Sequence, residues 1–169
     1  MIKLKYLILL SVSGSIIALD QLTKQIVVQK FFLNETYPVI QGIFDLTHVR
    51  NPGAAFGMLS RLDASVRIPF FIIVPLIALG VIGYLFRKLE ETEILMAFAL
   101  SMVIGGAIGN LIDRAAYNYV IDFLLFHWQD KAHYPAFNIA DAGICVGVAF
   151  LVFDTIRKER KARRASHSV

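Results

Sequence analysis

Residues 94–114 read ILMAFALSMVIGGAIGNLIDR, and this stretch decides the fold. From Ile94 to Ile112 it carries no charge and is long enough to cross the hydrocarbon of a bilayer as a helix, which takes about 20 apolar residues. Yet it also contains Asn110, and it ends on Asp113 and Arg114. Three similar stretches flank it, giving expected spans at 6–28, 68–86, 94–112 and 137–156. Pro75 lies inside the second and should bend it. The intervening loops are 29–67 and 113–136, and the tail is 157–169. The sequence predicts an all-α membrane protein of four transmembrane helices forming one integral membrane domain over residues 1–169, with a small β-containing region on the outer side.

Composition agrees, because the 169 residues are 57% hydrophobic and only 18% charged. Average soluble domains carry about 25% charged residues. A disulfide-stapled fold is excluded because Cys145 has no partner.

Basic residues near span ends stay on the cytoplasmic side. Lys3, Lys5, Arg87, Lys88, Arg157, Lys158, Arg160, Lys161, Arg163 and Arg164 share one side, so both termini are expected in the cytoplasm and the long loops outside. The net charge of +4 then reflects topology and contact with anionic membrane lipids rather than nucleic-acid binding.

Ionisable groups at membrane depth are functional candidates. With a rise of about 1.5 Å per residue, Asp20, Asn110 and Asp141 each stand roughly 22–25 Å above the basic end of their helix. Their level is therefore the outer part of the bilayer, with Asp113 and Arg114 just above. Asn-x-x-Asp occurs twice, as Asn110 to Asp113 and Asn138 to Asp141, each pair on one helix face. Gly105-x-x-x-Gly109 and Gly143-x-x-x-Gly147 allow close helix approach.

In the first outer loop, residues 42–50 have a strand-like pattern and lead into a turn at Asn51-Pro52-Gly53. The apolar run Ala54 to Leu59 follows and is expected to lie at the membrane surface over the bundle. In the second loop, Phe126, Trp128, Tyr134 and Phe137 suggest an aromatic interface belt. His127, Asp130 and His133 have metal-like spacing but read better as interfacial residues, so no metal site is expected.

Serine or cysteine nucleophilic chemistry has no support: Cys145 lacks a nearby histidine and reads as a packing residue, and Lys24 has no serine beside it. Carboxylate chemistry remains. Asp122 interrupts an apolar run after the third span and Asp141 opens the fourth. Two carboxyls in a low-dielectric site would share a proton, so that one activates water while the other polarises a carbonyl. On spacing alone the same residues fit a solvated loop acid and a helix cap equally well.

Taken together, the motifs resemble the bacterial lipoprotein signal peptidases, the signal peptidase II family. The similarity rests on Asp20-Gln21-x-x-Lys24, Asn51-x-Gly53-Ala54-Ala55-Phe56, Gly106-x-x-Gly109-Asn110-x-x-Asp113-Arg114, Val120-x-Asp122-Phe123 and Phe137-Asn138-x-Ala140-Asp141. One departure is Ala142-Gly143, where many members have a serine after the second aspartate. The resemblance implies an intramembrane aspartyl endopeptidase of the bacterial cytoplasmic membrane. Its substrate would be a prolipoprotein bearing a diacylglyceryl cysteine, cleaved on the N-terminal side of that cysteine. Asp122 and Asp141 would be the catalytic dyad. Asp20, Asn51, Gly53, Asn110, Asp113, Arg114 and Asn138 would bind substrate or order the site, with no metal or organic cofactor. Two other readings of the buried acids remain at this point: a relay in a small transporter, and pairing with a partner helix in an assembly subunit.

Overall fold

The computed structural model describes residues 3–53, 63–129 and 132–166. In chain order they form α1 (Leu4–Lys30), β1 (Thr36–Ile40), β2 (Phe44–Asn51), α2 (Ala64–Lys88), α3 (Ile94–Tyr117), β3 (Val120–Trp128), β4 (Ala132–His133) and α4 (Ile139–Ser166). All four helices are long and apolar enough to span a membrane. The expected class, a four-helix membrane protein with a small β region, is the observed one.

Helix α3 is the axis of the bundle. Over half of its most apolar window is buried (56%), whereas none of the corresponding window of α2 is. A helix that exposes Ile73, Ile77 and Val81 on its surface needs hydrocarbon around it. Helix α3 instead meets α1 and α4 through its glycines. A Cβ at Gly106 would overlap the backbone carbonyl of Ala140 on α4, and one at Gly109 would come 2.8 Å from Asp20 Oδ2 on α1. Gly143 faces Ile16 of α1, and Gly147 faces Ala99 and Val103 of α3. The paired glycines are thus packing residues.

At one end of the bundle, Lys5 Nζ donates to the carbonyls of Arg87 (3.1 Å) and Leu89 (2.6 Å), capping the open C-terminus of α2. There too Lys158 pairs with Glu93 and with the buried Asp154. The start of α1 and the far end of α4 therefore share this basic end.

At the opposite end sits an antiparallel sheet of order β1-β2-β3-β4. Val49 pairs with Asp122 and Asn51 with Val120, placing two polar residues of neighbouring strands beside the bundle. Val27 of α1 packs with Ile121 and Phe123 of β3, seating the sheet on the helices.

Several boundaries differ from the sequence expectation. Helix α3 continues through Asp113 and Arg114 to Tyr117 and stops at Asn118, which adopts a left-handed φ of 65°. Charge ends a hydropathy pattern, but it does not end a helix when the charge is paired. Helix α4 starts at Ile139 rather than Phe137, because Phe137 bridges Leu124 of the sheet. It continues through the basic tail to Ser166. The expected strand at 42–50 becomes β2 from Phe44, with Gly42 in the preceding turn at φ 78°. Strand β3, which carries Asp122, occupies part of what was expected to be an outer loop. The run Ala54 to Leu59 lies outside the described residues.

Gly106→Ala should destabilise the fold by about 1–3 kcal/mol, since backbone must move to admit the methyl group. Gly80→Ala, with nothing within 4 Å, should leave stability unchanged or slightly raised. Thermal unfolding of both variants in one detergent checks the contrast.

Candidate active site

Asp122 lies on β3 at 2% exposure, so it is not a solvated loop residue. It lines a cavity of about 170 Å³ together with Asp141, Asn51, Asn110 and Arg114; Tyr134, Phe137, Ile144 and Cys145 add to the wall. Residues far apart in sequence thus converge where the sheet meets α3 and α4. Cys145 is exposed rather than packed in the core.

Three asparagines hold the two carboxylates. Asp122 accepts from Asn51 Nδ2 at 3.0 Å and from Asn138 Nδ2 at 2.7 Å. Asp141 accepts from Asn110 Nδ2 at 2.7 Å and, at 3.4 Å, from the backbone N–H of Asn138. Asn138 Oδ1 in turn accepts the N–H of Asp141 at 2.9 Å, a reciprocal cap of α4. Capping α4 and lining the cavity are therefore compatible roles for Asp141. Asn138 ends the loop, starts the helix and ties Asp122 to Asp141 with one side chain.

The asparagine orientations are fixed by chemistry. Because Asn110 gives its amide protons to Asp141, its Oδ1 faces Asn138 Nδ2 (3.1 Å) and Lys24 Nζ (3.1 Å), both donors. Arg114 stays at the rim, where it donates to the Gly53 carbonyl (3.3 Å) and sits over the Phe71 ring. Gly53 also donates to Asn51 Oδ1 at 3.0 Å, closing the turn expected there.

Behind the cavity lies a second, buried polar group. Lys24, Asp20 and Asp113 are exposed by only 1%, 0% and 1%. Lys24 Nζ is 2.8 Å from Asp20 Oδ2 and 2.9 Å from Asp113 Oδ2. Gln21 Nε2 donates to both acids and to the Gly109 carbonyl. Asp20 and Asp113 are therefore not among the residues that line the cavity. Lys24 and Gln21 are absent from the expected site residues. The signal for them was an acid and a lysine four residues apart at membrane depth, a pair that hydrocarbon tolerates only when it is matched.

Burial pushes the Asp122 carboxyl up from its ordinary 3.8 to about 7, reinforced by the nearby charge of Asp141; the amides of Asn51 and Asn138 pull the other way. Loss of the Asp122 proton thereby moves into the neutral range. The His127–Asp45 pair, 3.1 Å apart, links neighbouring strands away from the cavity. Asp130 lies outside the described residues, and among those described no histidine, cysteine and acid cluster could hold a metal.

A membrane bundle with two acids converging on a cavity at one end defines an enclosed carboxylate site. The chain belongs to the signal peptidase (SPase) II family, whose model matches residues 12–157. It is 51% identical over 150 residues to the lipoprotein signal peptidase of Geobacter sulfurreducens, covering 89% of this chain and 91% of that protein. The counterpart from Geobacter metallireducens is 46% identical over 159 residues, covering 94% and 96%. A solved bacterial membrane enzyme superposes with a TM-score of 0.80 at 30% identity, covering 89% of this chain and 88% of that one. The protein is accordingly a peptidase of multi-pass membrane type. The transporter reading finds no support in these likenesses.

Asn138→Ala should cost about 1–2 kcal/mol from the lost cap alone. It should also reduce turnover, because Asp122 loses one of its two amide donors. Unfolding and cleavage assays on the same preparation check both parts.

Proposed function

We propose that Asp122 and Asp141 form the catalytic dyad of an intramembrane aspartyl endopeptidase. The substrate is a prolipoprotein whose cysteine carries a diacylglyceryl group, cut on the N-terminal side of that cysteine. The observation that carries this reading is that both carboxylates line one cavity and are joined through Asn138 and Asn110. They sit at the bundle end opposite the basic termini, which by the positive-inside rule is the outer face of the bacterial cytoplasmic membrane. Residues 1–169 act there as one integral unit, with both termini cytoplasmic. A lipid-modified cysteine belongs at that depth, with its acyl chains in the bilayer and its peptide bond near the surface.

The chemistry follows from the shared proton. The charged carboxylate takes a proton from a water molecule, which attacks the scissile carbonyl carbon. The protonated partner donates to the carbonyl oxygen, and the resulting tetrahedral species collapses as the leaving nitrogen is protonated. Asn51, Asn110 and Asn138 prevent either carboxyl from rotating out of place. Arg114 braces the Gly53 turn at the cavity mouth.

Asp122→Asn and Asp141→Asn should each abolish cleavage of a diacylglyceryl-modified precursor while leaving helix content intact, and the unmodified precursor should not be cut by the parent protein. Near-normal turnover by either variant would sink the dyad.

The raised Asp122 value also predicts a pH dependence. As pH rises through about 7, the shared proton is lost and the rate should fall about tenfold per unit. The sign for stability is the same. A carboxyl that binds its proton more tightly when folded loses that stabilisation as pH climbs from 3.8 towards about 7. A kcat profile across neutral pH reads the first effect, and unfolding measured from about pH 4 to about pH 7 reads the second.

A further inference from the structure

The buried polar group reaches the backbone immediately before each aspartate. Asp20 Oδ1 accepts the N–H of Ala140 at 2.9 Å, the residue before Asp141. Asp113 Oδ2 accepts the N–H of Ile121 at 3.0 Å, the residue before Asp122. Lys24 holds both acids and, through Asn110, also contacts the side chain that donates to Asp141. An ammonium has three protons, and three acceptors surround this one.

We propose that Lys24 is a positioning residue for both halves of the dyad. It clamps Asp20 and Asp113 so that α4 and β3 present their aspartates at a fixed separation, and it sets the dyad's charge balance from behind the cavity. This deepens the dyad reading and rests on it. Three routes leave Lys24: through Asp20 to α4, through Asp113 to β3, and through the Asn110 amide to Asp141. Lys24, Asp20 and Asp113 do not line the cavity, so these three act without touching substrate.

A purely structural lysine and this one differ in a measurable way. With Lys24 and both acids charged, the group carries one net negative charge. Lys24→Met makes it more negative, which favours the protonated dyad. Asp113→Asn makes it neutral, which favours the ionised dyad. Among the described residues, the other charged or titratable groups facing the dyad are Arg114 of α3, Tyr134 after β4 and Cys145 of α4, and both variants leave them unchanged.

The test is the pH profile of kcat on a diacylglyceryl-modified precursor, with the full chain in detergent or lipid. The alkaline limb should move up by about half a unit or more in Lys24→Met and down by a similar amount in Asp113→Asn. In both variants kcat should fall about tenfold or more at the optimum while KM stays within about twofold, because misplaced reacting groups lower turnover rather than binding. Lys24→Arg, which keeps the charge, should leave the limb where the parent has it. Asp113→Asn retains the Lys24–Asp20 pair and so gives a folded variant even if Lys24→Met unfolds. An Asp113→Asn limb and kcat equal to the parent's overturn the proposal, as do limbs that move the same way in both charge variants. Failure of the dyad reading looks different, since Asp122→Asn or Asp141→Asn would then still cleave.

Discussion

A lysine buried in an apolar bundle is the constraint on which the rest of this structure depends. Lys24 lies within a membrane-spanning helix at 1% exposure. An uncompensated charge there would be untenable, and breaking a buried pair leaves a charge in a medium that cannot solvate it. The fold answers with one acid from the same helix and one from α3. Each acid also accepts from Gln21 and from a backbone N–H, Asp20 from α4 and Asp113 from β3. A local electrostatic requirement thereby fixes the relation among α1, α3, α4 and β3.

That web explains why α3 is glycine-rich where it is. For Asp20 to reach the N-terminus of α4, α1 and α4 must approach α3 with little between them. Gly109 leaves room for the Asp20 carboxylate, and Gly106 for the Ala140 carbonyl. Packing and polar satisfaction are one requirement at these positions. In hydrocarbon, where apolar burial gives little preference for one helix contact over another, close approach and hydrogen bonds carry the specificity.

The polar residues divide into a set behind the cavity and a set that lines it. Lys24, Asp20, Asp113 and Gln21 satisfy one another and nearby backbone. Asp122 and Asp141 face the cavity and are held by asparagines, which orient a carboxylate without neutralising it. Had a lysine or arginine bonded them directly, both would be fixed as anions, and a dyad that must share a proton could not operate as proposed. Asn110 is the residue on which the two sets converge, since its Oδ1 accepts from Lys24 and its Nδ2 donates to Asp141, while Asn138 caps α4 and donates to Asp122, Asn110 and the Ile121 carbonyl.

Much of this was legible in the sequence. The four spans followed from uninterrupted apolar length, because a bilayer imposes a thickness that a single chain segment must meet. The common level of Asp20, Asn110 and Asp141 along their helices followed from the helix rise, and the family motifs marked the residues around the cavity. What could not be read was partnership. Lys24 was visible as an oddity, but its pairing with Asp113 on another helix is a tertiary fact. Likewise, Asp122 in an apolar run did not announce a strand, because β3 exists through pairing with β2 and not through its own pattern. The sequence by itself determined the spans and which residues are chemically expensive to bury. Only the tertiary structure decided how those residues satisfy one another, because hydrogen bonds and ion pairs between distant segments depend on distance and direction, neither of which is encoded at any single position.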